Sequence, residues 1–129
     1  MNKILVEVSV GELLDKISIL EIKKDKIKDS EKLKFINYEH NVLKDQLDKK
    51  VKTNKKIDEL FRSLKKINFQ LWVIEDDKRI CEKNSNFGEK FIKLSRDVHF
   101  LNDERAKLKL EINTHTGSKI KEIKEYTNY

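Results

Sequence analysis

Proline is absent from this chain, and glycine occurs only three times in 129 residues. Almost nothing in the sequence therefore interrupts a helix, and flexible linkers are not expected. A single cysteine, Cys81, excludes an internal disulfide and fits a reducing compartment, so a cytoplasmic location is expected. No apolar run approaches the ~20 residues that a membrane span needs. Residues Met1 to Val10 carry one lysine before a short apolar run and lack a small-residue cleavage pattern, so they do not read as a signal peptide. There is no glycine-rich phosphate loop and no Cys/His/Asp triad. His40, His99 and His115 share no spacing that would bring them together.

Charge is what the chain has in plenty, at 40% of residues, and its apolar residues recur at helical intervals. One all-α domain spanning residues 1–129 is expected. Ile4 to Val8 alternate like a short extended lead-in. Ser9 and Glu12 form a capping box for a first helix with the stripe Val10, Leu13, Leu14, Ile17, Leu20 and Ile27, ending near Lys28. Gly11 is tolerated in that first turn, or lets the chain pass close to the fourth helix. Ser30 can cap a second helix carrying Leu33, Ile36, Val42, Leu43, Leu47 and Val51. Thr53 or Asn54 opens a third, with Ile57, Leu60, Phe61, Leu64, Ile67 and Leu71, ending near Lys83. Asn86 with Glu89 would cap a fourth, which carries Phe87, Phe91, Leu94, Val98, Leu101, Leu108 and Ile112 and stops at Gly117. The remaining tail holds Ile120, Ile123, Tyr126 and Tyr129, side chains that suit docking.

The third and fourth helices would each be ~45 Å long. The expected architecture is an elongated antiparallel helical bundle with a long coiled-coil-like hairpin, a short N-terminal extended segment and a docked C-terminal tail. The second and third helices are expected to extend as a basic arm. Exposed apolar seams on such an arm make a homodimer expected.

The net charge is +6, but it is uneven. Residues 31–66 hold 11 basic and 6 acidic side chains, whereas residues 1–30 balance. Lys49, Lys50, Lys52, Lys55 and Lys56 flank the turn between the second and third helices and could meet an anionic partner. No aromatic residues interleave with them, which disfavours nucleic acid.

The candidate site is a line of polar residues where apolar ones are ordinary. Asn68, Trp72, Glu75, Arg79 and Glu82 share a narrow arc at 100° per residue and continue the apolar stripe of the third helix. On the fourth helix, Arg96, Asn102, Asp103 and Arg105 lie on or beside the stripe. Two facing lines would make a polar chamber. The chain has 25 lysines and only four arginines, so an arginine marks a place where lysine cannot substitute; three of the four, Arg79, Arg96 and Arg105, lie in this region.

The string Asn68-Phe69-Gln70-Leu71-Trp72-Val73-Ile74-Glu75-Asp76 with Arg79 and Glu82, then Arg96, Asn102-Asp103, Arg105-Ala106, Lys109 and Ile112-Asn113, resembles the uncharacterised domain-of-unknown-function family 6165. So do the opening Val6 to Lys23 and the closing Gly117-Ser118 with Glu122, Lys124, Tyr126 and Tyr129. Members of such families are often encoded near glycosyltransferase and polysaccharide genes, so the resemblance implies a link to carbohydrate metabolism.

Two functions fit. In the first, the chamber binds a small anionic ligand such as a sugar phosphate, nucleotide or nucleotide sugar. Arg79, Arg96 and Arg105 would clamp it, Asn68, Asn102 and Asn113 would read hydroxyls, and Trp72 would stack on a ring. Glu75 or Glu82 would be the general base if there is a reaction. In the second, the same residues form a closed network, Glu75 or Glu82 with Arg105 and Asp103 with Arg96. The protein is then a non-catalytic adaptor that binds a partner protein or anionic polymer through its basic hairpin. No cofactor is expected. Magnesium would need Glu75, Asp76, Glu82 and Asp103 to converge, and Arg79 between the acids would repel it.

Overall fold

A computed structural model describes residues 2–129, and among them the only regular elements are four helices: α1 (Val10–Lys26), α2 (Ser30–Lys50), α3 (Lys55–Lys83) and α4 (Glu89–Thr116). Residues 2–8 are exposed and belong to no regular element.

Short polar side chains set the helix starts. Ser9 Oγ accepts the Glu12 N–H at 3.0 Å, and Asn54 Oδ1 accepts the Ile57 N–H at 2.9 Å. Two expected caps differ. Asp29 rather than Ser30 caps α2, its carboxylate accepting from the Glu31 and Lys32 N–H groups. Gly88 occupies the cap position of α4 without a side-chain bond, because Asn86 instead bends back onto the Gly88 N–H at 3.2 Å. At the far end, Gly117 adopts φ 67°, the left-handed conformation that ends helices, and Ser118 N–H closes onto the Asn113 carbonyl at 2.9 Å.

Helix α1 is the hub, lying against each of the other three, while α3 runs beside α4. Leu14, Ile17, Leu47, Ile57, Leu60, Leu64 and Ile112 form the apolar core, to which each of the four helices contributes side chains. Each fully buried Leu or Ile contributes about 1.5–3 kcal/mol. The expected α2–α3 arm does not form, because α2 folds back on α1 and makes no close approach to α3. Ile36 and Leu47 anchor α2 there, and Lys24 Nζ donates to His40 Nδ1 at 3.0 Å. Val42, expected in the α2 stripe, is exposed.

Length then separates two regions. At a rise of 1.5 Å per residue, α1 is about 25 Å long and α3 about 43 Å. The polar contacts of α1 reach no further along α3 than Asn68 and no closer to the start of α4 than Arg105. Beyond them α3 and α4 continue as a two-helix hairpin. Between residues 73 and 100 only Cys81 is buried.

Candidate functional site

A buried carboxylate on α1 organises the polar groups. Asp15 is 1% exposed. Arg105 grips it with both arms of its fork, Nε to Oδ1 at 3.0 Å and Nη2 to Oδ2 at 2.5 Å. Asn68 Nδ2 donates to the same Oδ1 and to Ser18 Oγ, each at 2.8 Å, and the Ser18 hydroxyl donates to the Asp15 carbonyl. Lys109 lies 3.8 Å from Asp15 and binds Glu12 at 2.6 Å and Glu122 at 3.0 Å. Three helices and the tail thus meet in one ion network.

The electrostatics agree with the geometry. Burial pushes the Asp15 carboxyl up, but the Arg105 and Asn68 hydrogen bonds and the charges of Arg105 and Lys109 outweigh it, holding the group below its ordinary range. The hydrogen bond to Asp15 raises Arg105. Burial lowers Lys109, yet its bonds to Glu12 and Glu122 leave the ammonium above its ordinary value.

Next to this network the start of α1 is closed by other parts of the chain. A helix leaves its first N–H groups without internal partners. Here Val10 N–H donates to Ser118 Oγ at 3.3 Å, Gly11 N–H to Asn113 Oδ1 at 2.7 Å and Glu12 N–H to Ser9 Oγ. The contact demands glycine: a Cβ at Gly11 would stand 2.5 Å from the Lys109 carbonyl oxygen. Of the two readings of Gly11, close passage against the fourth helix is the one that the structure bears out. Glu12, expected to complete the capping box, turns to Lys109.

The ten residues expected in one chamber divide between two places. Asn68, Arg105 and Asn113 join α1, with Asn113 capping a helix. Glu75, Arg79, Glu82 and Arg96 are exposed on the distal hairpin, and none has an ion-pair partner within 4.0 Å among the described residues. The expected pairing of Arg105 with Glu75 or Glu82 is replaced by Arg105 with Asp15, and Asp103 takes the Tyr129 hydroxyl instead of Arg96. Trp72 and Asn102 are half-buried. The physical reason is the short α1: past its reach no third helix covers the α3 line, so those polar groups meet water.

Sequence reasoning overlooked Asp15, Ser18 and Glu122. A signal was present: Gly11, Asp15, Ser18 and Ile22 recur at four, three and four residues, a second inward line on α1 beside its apolar stripe. A helix with partners on several sides buries more than one face.

Among the described residues no group of three His, Cys, Asp or Glu side chains could hold a metal ion, and no helix is long and apolar enough to cross a membrane. Clefts of about 310, 240 and 220 Å³ open on the surface; of the ten expected residues, only Arg96 lines one.

Fold and network together define a small all-α protein built on a hub helix locked to its neighbours by ion pairs. The chain belongs to the DUF6165 family, a family of unknown function, whose family model matches residues 4–129. No curated protein and no solved structure matches it.

Proposed function

We propose that this protein is a non-catalytic helical adaptor that works as a homodimer joined along its distal α3–α4 hairpin. One contrast carries the reading. No buried side-chain nitrogen or oxygen among the described residues lacks a partner, so the ion network holds no unsatisfied buried group for a ligand to complete. Meanwhile Val73, Ile80, Phe87 and Ile92 on the distal hairpin are exposed, with Ile80 at 47% and Ile92 at 54% exposure.

The charge on that hairpin suits a second copy. Residues 73–100 hold six acidic and six basic side chains, so the net +6 of the chain lies wholly outside them. Within the hairpin, residues 73–83 have one excess acid and residues 89–100 one excess base. Two copies related by a twofold axis can set α3 of one against α4 of the other, opposite sign to opposite sign, and complete a four-helix bundle. The lysines around the α2–α3 connection are exposed and can meet an anionic partner, although Lys49 pairs with Asp45 at 3.0 Å.

Sedimentation velocity tests the reading. The wild-type chain is expected to sediment as a dimer, and Val73→Glu with Ile80→Glu as a folded monomer. A wild-type monomer across the concentration range would sink the proposal.

A further inference from the structure

A cleft of about 310 Å³ lies between the C-terminal half of α1 and the N-terminal half of α3, apart from both the ion network and the distal hairpin. Its walls are Ile22, Asp25, Lys26, Arg62, Lys65, Lys66 and Phe69. Arg62, Lys65, Lys66 and Phe69 are spaced i, i+3, i+4 and i+7, so three cations and one aromatic ring share a face of α3. Ile22 is buried and Phe69 is half open, and the Lys26 ammonium lies 4.9 Å from the Phe69 ring centroid.

Four cations therefore surround one small apolar floor, and their own counter-charges are few. Lys65 is held by Glu21 at 3.0 Å. Lys26, Arg62 and Lys66 have no carboxylate within 4.0 Å among the described residues, and Asp25 is the one acid in the wall. Like charges at i and i+4, as in Arg62 and Lys66, oppose one another on a helix. A bound anion removes that opposition. Arg62 is also the single arginine outside the region of Arg79, Arg96 and Arg105, at a place where its planar fork can take two oxygens of one phosphate.

We propose that this cleft binds an organic phosphate, with the phosphoryl oxygens on Arg62 and Lys66 and the attached apolar group against Ile22 and the open face of Phe69. Inorganic phosphate supplies the first contact without the second. The organic ester is thus bound more tightly than the bare ion. The phosphate can belong to a soluble nucleotide or to a lipid headgroup, and both present the same monoester chemistry.

The test is calorimetric titration of the full chain with inorganic phosphate, AMP and ADP, together with flotation on vesicles containing phosphatidic acid or phosphatidylcholine alone. Arg62→Gln with Lys66→Gln removes the two binding charges. Lys119→Gln with Lys121→Gln removes two exposed charges on the remote tail. Both pairs are exposed, and circular dichroism checks that each variant folds. The expected result is tighter binding of an organic phosphate than of inorganic phosphate, lowered at least tenfold by the Arg62/Lys66 pair and unchanged by the Lys119/Lys121 pair. Binding of AMP or ADP assigns a soluble ligand, and flotation on phosphatidic acid alone assigns a lipid. Equal losses in the two variants, or no binding to any probe, overturn the proposal. Self-association is read separately by sedimentation, so this outcome is independent of the homodimer.

Discussion

The same two helices behave differently along their length. In the proximal half, α3 and α4 share α1 as a third partner, and Asp15, Asn68, Arg105 and Lys109 are withdrawn from water and bound to one another. In the distal half the pair stands alone, and Glu75, Arg79, Glu82 and Arg96 are exposed with no ion-pair partner among the described residues. Equivalent residue types on equivalent faces thus acquire different roles. A charge becomes structural only where a third element removes the water that would otherwise solvate it.

Substitutions can break this comparison. The largest expected effect is that of Arg105→Ala, which leaves the buried Asp15 without its bidentate partner and with only Lys109, 3.8 Å away, as counter-charge, and should cost about 3–5 kcal/mol. At this chain length that is a fall in Tm of roughly 10–20 °C. Arg79→Ala should stay within about 0.5 kcal/mol. Similar losses in thermal melts of the two variants would erase the distinction between the halves.

Gly11→Ala comes next. Its Cβ would meet a backbone carbonyl that cannot swing aside, so α1 must shift from α4 and lose the Asn113 cap. A cost of about 1–3 kcal/mol is expected from denaturant titration. Gly88→Ala, where the nearest atom would be 3.5 Å away, serves as the mild distal control.

Acid should reveal the same asymmetry. The folded state holds the Asp15 carboxyl below its ordinary 3.8, so the stabilisation it provides is complete above that value and is lost as pH falls through the lower folded value. Asp15→Asn should flatten this acid limb in melts recorded from neutral pH downward. Lys109 acts in the opposite sense: its ammonium is held above 10.5, and its contribution is lost only as pH rises beyond that.

The smallest effect concerns the tail. Tyr129 packs edge-on against His99 and Phe100, with ring centroids 5.2 and 5.3 Å away, and its hydroxyl donates to Asp103. That hydrogen bond raises the phenol above its ordinary 10.0. In Asp103→Asn the ultraviolet titration of one tyrosine should move down toward 10.0, while Tm stays close to that of the wild type. An unmoved titration would mean that the tail leaves the distal hairpin in solution.

Much of the fold could be read from the chain. Ser9, Asn54 and Gly117 mark helix ends because short side chains and a left-handed turn satisfy free backbone groups locally. The stripe ending in Ile112 identifies the inner face of α4 for the same local reason. The site was less legible. Asn68, Arg105 and Asn113 stood out as polar residues on inward faces, but Asp15 lies 53 residues from Asn68 and 90 from Arg105, Ser18 50 from Asn68, and Gly11 102 from Asn113. Helical spacing carries no information about such distances.

The sequence by itself therefore determined four helices, their inward faces and the concentration of positive charge between residues 31 and 66, because these follow from spacing and composition. Only the tertiary structure decided that α2 lies on α1, that Arg105 closes on Asp15, and that the polar line of α3 ends in water past Asn68. Each of those outcomes depends on where a short helix stops relative to two long ones, and burial, which sets the energy of every charge, is a property of that arrangement.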